Sequence, residues 1–174
     1  MKIEEVVTGL LDENCYVLKK GDTCLVVDPG DDYPKIKELV GDSKVLGVLL
    51  THSHFDHIGA LRNFLTKRNV KMFKKSSTSE KSYEVGDFSF QVIYTPGHSS
   101  DSISFYFPDD NVMFVGDFIF KEGVGRCDLP TGSEDEMKES LNKLKEFNSD
   151  IKLYPGHGEN TTLDYEKSHN PWLS

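Results

Sequence analysis

Residues Val45–Ala60 read VLGVLLTHSHFDHIGA, and this stretch says more about the chain than any other. Its first part, Val45–Leu50, is an apolar run of strand length and reads as a buried strand. Its second part sets His52, His54, Asp56 and His57 within six positions, directly after that strand. Side chains two apart in extended chain point the same way, so His52 and His54 reach one point together. Asp56 and His57 come where the chain must turn before a helix, and they aim at a second point nearby. Buried imidazoles and carboxylates each need a partner, so four of them this close together have little purely structural rationale. They are donors suited to first-row transition metals.

The same arrangement recurs along the chain. Strands are expected at Ile3–Val7, Cys15–Leu18 and Cys24–Asp28, with turn chemistry at Lys20-Gly21-Asp22 and a break at Asp28-Pro29-Gly30. A short helix is expected over Pro34–Val40, stopped by Gly41, and another over Ile58–Arg68. Phe88–Tyr94, Ser102–Phe107 and Val112–Val115 read as strands, the last two joined by a turn at Asp109-Asp110-Asn111. Ser133 and Glu136 read as a capping box ahead of a helix whose apolar face is Met137, Leu141, Leu144 and Phe147. Ile151–Tyr154 reads as the last strand. His98, Asp117 and His157 each follow one of these strands, as the first cluster does, so five of the six histidines belong to one pattern. In layered α/β folds, functional groups gather where strand ends emerge at one sheet edge. The residues alone argue for a layered α/β or α+β domain.

Composition narrows the functions. A chain of 174 residues fits one domain, and 37% hydrophobic content with 11% aromatic residues can build its core. A net charge of −9 and the lack of a basic stripe argue against nucleic acid; Lys67–Lys75 reads as a solvated face. No apolar stretch reaches the roughly 18 residues that span a membrane. The acidic start MKIEEVV does not look like a signal peptide. The three cysteines lack CxxC spacing, so reduced thiols and a cytoplasmic location are the simplest reading. Cys15 and Cys24 belong to apolar strands, whereas Cys127 falls in a Gly-rich loop.

The sequence closely resembles the metallo-β-lactamase superfamily, and within it the glyoxalase II (hydroxyacylglutathione hydrolase) branch. The likeness runs through NCYVL (14–18), VVDPG (26–30), THSHFDHIGA (51–60), TPGHSSDSISF (95–105), FVGDFIF (114–120), GVGRCDLPTG (123–132), YPGHGENTT (154–162) and NPWL (170–173). It implies a four-layer αββα sandwich, one domain over 1–174, with two divalent metal ions, zinc first and iron or manganese also suited. By the resemblance, His52, His54 and His98 hold one metal, Asp56, His57 and His157 the other, and Asp117 bridges them. Asp28 is expected to brace the site rather than ligate, and His169 matches no ligand motif. The chemistry implied is cleavage of a thioester, most simply an S-hydroxyacylglutathione-like small molecule, by an ionised water between the metals. By the same resemblance, Asp56 and Asp117 are expected to be the catalytic carboxylates.

Departures from glyoxalase II raise rival readings. That enzyme's C-terminal helical domain, which helps bind glutathione, is expected to be missing. Arg126 stands at the position of a basic substrate contact and Asp128 where glyoxalase II has tyrosine, so both are candidate substrate residues, with an Arg126–Asp128 salt bridge as the structural alternative. The GRxD form is similar to compact bacterial relatives and to persulfide dioxygenases. In the latter, one iron would sit in a triad of His52, His98 and Asp117. Lactonases share the scaffold. Zinc β-lactamases usually carry cysteine or serine where Asp117 stands, which counts against that activity. The stretch Val70–Ser82 is short, so a more open site is expected.

Overall fold

The computed structural model describes residues 1–66, 69–147 and 150–173. Its first sheet runs in order β1 (Lys2–Thr8), β2 (Glu13–Lys20), β3 (Thr23–Val27), β4 (Lys44–Leu49) and β5 (Lys71–Phe73), with α1 (Tyr33–Val40) and α2 (Leu61–Leu65) between strands. The chain then enters a second sheet through β6 (Ser82–Val85), β7 (Phe88–Tyr94), β8 (Ile103–Phe107) and β9 (Val112–Gly116). A hairpin of β10 (Ile119–Phe120) and β11 (Gly123–Val124), then α3 (Glu134–Lys145), leads to β12 (Lys152–Pro155), β13 (Thr161–Thr162) and α4 (Leu163–His169). The second sheet has the order β13-β12-β9-β8-β7-β6.

Period-two side-chain alternation explains the layering. Tyr16 and Leu18 of β2, with Leu25 and Val27 of β3, face Phe90, Phe105 and Phe114 across the middle core. Their neighbours Cys15, Val17, Cys24 and Val26 point the other way, onto Ile36 and Val40 of α1 and Phe64 of α2. In β9, Val112 and Phe114 face inward while Met113 and Val115 meet Met137, Leu141 and Leu144 of α3. Central strands are therefore buried on both faces, which is why they read as continuous apolar runs. Helices outside two facing sheets give the expected αββα sandwich. Cys15 and Cys24 are core residues, as expected.

Several local expectations are corrected. The helix expected over Ile58–Arg68 begins only at Leu61, because the Ala60 N–H donates to the Pro29 and Gly30 carbonyls at 3.0 and 3.1 Å. A Cβ on Gly59 would lie 2.2 Å from the Gly30 oxygen, so the turn and the 29–30 loop approach too closely for any side chain. The far end of that expected helix, at positions 67 and 68, lies outside the described residues. The capping box is half formed: Ser133 Oγ accepts from Glu136 N at 3.3 Å, but the Ser133 N–H donates to the Gly97 carbonyl at 2.8 Å. That second bond instead ties α3 to the loop carrying His98. The edge strands β5, β6 and β13 were not anticipated; they are short and partly exposed, so they lack a strong apolar signal.

Candidate metal centre

Ligand-type residues meet where strands end. β3 and β4 run parallel and deliver Asp28 and then Thr51–His57. His98 follows β7, Asp117 follows β9 and His157 follows β12. The turn Phe55–His57 is a single 3₁₀ turn closed by the His57 N–H on the His54 carbonyl at 3.0 Å. It buries His57 and leaves Phe55 outward. Gly116 takes a left-handed φ of 53° and packs on Thr51, which lets the chain swing Asp117 into the site.

The groups converge on one carboxylate. Asp117 Oδ1 lies 3.3 Å from His57 Nε2, while Oδ2 lies 3.5 Å from both His98 Nε2 and His157 Nε2 and 4.0 Å from His52 Nε2. His54 joins through Nδ1, 2.9 Å from His98 Nε2. Asp56 Oδ2 lies 3.1 Å from His157 Nε2 and 3.6 Å from His57 Nε2. Two triplets, His52–His54–His98 and Asp56–His57–His157, therefore each bring donor atoms within 4.8 Å of one another.

Outer contacts aim the rings. His98 Nδ1 bonds the Arg126 carbonyl at 2.8 Å, His157 Nδ1 the Leu11 carbonyl at 3.0 Å, and His57 Nδ1 the Asp28 carboxylate at 2.9 Å. A carbonyl or carboxylate can only accept, so these nitrogens carry hydrogen and each Nε2 is turned toward the centre. Asp28 Oδ1 also accepts from Thr51 N at 2.7 Å, and Oδ2 accepts from Thr51 Oγ1 at 2.5 Å. Although Asp28, His52 and His57 form a further donor triplet, both Asp28 oxygens already have donors. It braces the site, in line with expectation.

The electrostatics favour a cation. His52 Nε2, His57 Nε2 and Asp117 Oδ1 are buried without a hydrogen-bond partner. Unpartnered buried polar atoms are expensive, and metal ions held by the two triplets would satisfy them. Burial, and then the His57 charge, push His52 well below the usual histidine range, so it is a neutral imidazole ready to ligate. Hydrogen bonds that His157 Nε2 donates to the Asp117 and Asp56 carboxylates push it up to about 10, and a metal would displace that proton. A Cβ on Gly156 would sit 2.3 Å from Asp117 Oδ1 and 2.6 Å from His57 Cε1, so the cradle closes around the donors with no spare space. Mixed nitrogen and oxygen donors suit zinc, iron or manganese.

Sequence reasoning missed two supporting residues. Glu13 is fully buried, accepts from Thr8 Oγ1 at 2.7 Å and lies 3.8 Å from His57 Nδ1; burial pushes its carboxyl up to about 9. Asp101 accepts from Ser53 at 2.6 Å and Ser99 at 2.8 Å, clasping the two loops that carry His54 and His98. A charged residue opening an apolar strand, and an aspartate three positions after His98, were the available signals. Arg126 borders the centre's cavity, of about 620 Å³, but its Nε and Nη2 grip Asp128 at 2.6 and 2.7 Å, and Asp128 itself does not line the cavity. His169 lies apart on α4, stacked on Tyr165.

Fold and site together define a metal-dependent hydrolase of a known class. A family model for the metallo-beta-lactamase superfamily matches residues 8–79 and 75–157, and the chain belongs to that superfamily. It is 30% identical to the probable metallo-hydrolase YqgX of Bacillus subtilis over all of this chain and 98% of the relative. It is 29% identical to the hydroxyacylglutathione hydrolase GloC of Haemophilus influenzae, covering all of this chain and 99% of that protein. Among solved structures, TTHA1623 in a di-iron-bound form matches with TM-score 0.87 at 30% identity, over 98% of this chain and 100% of that one. BLEG-1, a B3 metallo-beta-lactamase, matches with TM-score 0.93 at 29% identity, over 99% of this chain and 100% of that one.

Proposed function

We propose that the chain is a binuclear hydrolase of thioesters, with S-hydroxyacylglutathione esters as the first substrates to test. His52, His54 and His98 hold one divalent ion, Asp56, His57 and His157 a second, and Asp117 stands between them. The observation that carries the reading is Asp117, whose carboxylate lies within 4.0 Å of imidazole nitrogens from both triplets. Bound ions would polarise the ester carbonyl and lower the pKa of water from about 15.7 to near 7. Zinc is the first candidate, and the di-iron form of TTHA1623 keeps iron in play.

The chain's own groups support hydrolysis of this bond type. Asp56 borders the cavity and faces His157, placed to orient an entering water and take its proton. Among the described residues lining the cavity there is no lysine or tyrosine to act as a strong acid for the leaving group. A thiolate leaves without one, an amine does not. The reading includes a small-molecule substrate, no nucleic-acid or membrane partner, and a cytoplasmic location; no helix among the described residues is long and apolar enough to cross a membrane.

The test is metal analysis of protein purified without added metal, followed by hydrolysis of S-lactoylglutathione and of lactones. Two metals per chain, thiol release and no oxygen uptake are expected. A facial triad would draw on His52, His98 and Asp117, whose Oδ2 lies 4.0 and 3.5 Å from the two ring nitrogens. One iron per chain with oxygen uptake on glutathione persulfide would therefore replace hydrolysis by persulfide dioxygenation. Lactone cleavage without thioester cleavage would make the chain a lactonase.

A further inference from the structure

Four apolar residues border the cavity over the metal centre. Leu11 comes from the β1–β2 loop, Phe55 from the ligand turn, and Leu129 and Pro130 from the loop after β11. Leu11 is 52% and Phe55 75% exposed, although both are large and the chain has three apolar clusters to hold such side chains. Single exposed apolar residues are ordinary; several around one polar centre are not. The positions follow from the fold. The β1–β2 loop is held down by its backbone, since the Leu11 carbonyl accepts from His157, which leaves the Leu11 side chain at the mouth. Phe55 lies between His54 and Asp56, which both line the cavity with it.

The charges around this rim are unfavourable for an anion. Among the described residues, the one lysine or arginine lining the cavity is Arg126, and Asp128 holds one edge of its guanidinium through Nε and Nη2. Asp101 adds a carboxylate to the wall. A glutathione thioester brings two carboxylates and one ammonium, a net negative group, and the one basic side chain lining the cavity is already paired with Asp128. The cavity, of about 620 Å³, falls within the range of small-molecule sites.

We propose that Leu11, Phe55, Leu129 and Pro130 form the subsite for the acyl chain of an uncharged, apolar thioester, and that the chain prefers such esters to those of glutathione. This rests on the thioester reading and narrows it. The acyl chain lies along the apolar rim with its carbonyl over the metal centre, and the neutral thiol points to solvent past the paired Arg126.

The test compares kcat/KM of metal-loaded protein for N-acetylcysteamine thioesters of acetyl, butyryl and hexanoyl groups, for S-hexanoylglutathione and for S-lactoylglutathione. We expect about a fourfold rise per methylene along the neutral series, and S-hexanoylglutathione roughly tenfold below its neutral counterpart. The unreactive thioether S-hexyl-N-acetylcysteamine should bind metal-free protein more tightly than S-hexylglutathione, measured by calorimetry. Leu11→Ser, on a loop that carries no ligand, and Phe55→Ser should each flatten the acyl series and weaken thioether binding while leaving metal content and melting temperature near those of the parent. A flat acyl series in the parent protein, or S-lactoylglutathione as the best ester, would overturn this assignment and leave thioester hydrolysis standing. No turnover of any thioester by protein holding two metals would overturn both.

Discussion

The floor of the cavity and its rim are built by opposite rules. On the floor three of the imidazoles are aimed by outer partners: Asp28 under His57, the Arg126 carbonyl under His98, the Leu11 carbonyl under His157. At the rim, Phe55 and Leu11 stand exposed, and the one arginine is neutralised by its neighbour. The floor is fixed geometry for charge; the rim is uncommitted surface for contact. On the proposed reading, chemistry and substrate choice lie in separate residues, so changes to one should leave the other readable.

The largest effect should come from removing the shared carboxylate. Asp117→Ala is expected to lower kcat/KM by on the order of 10³ and to reduce bound metal to one ion or none per chain, read by elemental analysis. Retention of two metals with full turnover would show that Asp117 does not join the triplets. Chelation should come next. Two ions that bind only the native state, each at about 30 times its Kd, together contribute roughly 4 kcal/mol. At about 2–4 °C per kcal/mol for a chain of this size, removal should lower Tm by about 10 °C. A thermal melt unchanged by chelator would mean that the floor needs no cation.

Smaller effects sharpen the contrast. Asp28→Asn keeps the shape but weakens the acceptor for His57 Nδ1–H; metal affinity should fall about 10–100-fold, measured by competition with a chromogenic chelator. An unchanged affinity would reduce Asp28 to a packing role. Arg126→Ala, at the rim, should change kcat/KM for neutral esters by no more than about twofold, because exposed ion pairs contribute little. A drop of a hundredfold confined to anionic esters would show that Arg126 leaves Asp128 to hold substrate.

Much of the floor was legible in sequence, because metal donors are chemically distinctive and their positions after strands are regular. The central strands were legible for a related reason: burial on both faces gives β2, β3 and β9 apolar runs at Cys15–Leu18, Cys24–Val27 and Val112–Val115. The rim was not legible. Phe55 reads as one apolar letter inside the motif, and only its exposure distinguishes it from a core residue. Leu11 has the same ambiguity. The Asp28 brace was legible as a motif, but Glu13 and Asp101 act through partners distant in sequence, such as His57 and Ser53, and no local pattern reports that. The shortened α2 was hidden because the competing hydrogen bonds come from the Pro29–Gly30 loop.

Diffraction from metal-loaded crystals, recorded on both sides of the metal's absorption edge, tests the central claim most directly. Two anomalous peaks per chain are predicted: one contacted by His52 Nε2, His54 Nδ1 and His98 Nε2, the other by Asp56, His57 and His157, with Asp117 touching both at about 2.0–2.2 Å. A single peak, or one that takes Asp28 as a ligand in place of Asp117, would contradict it.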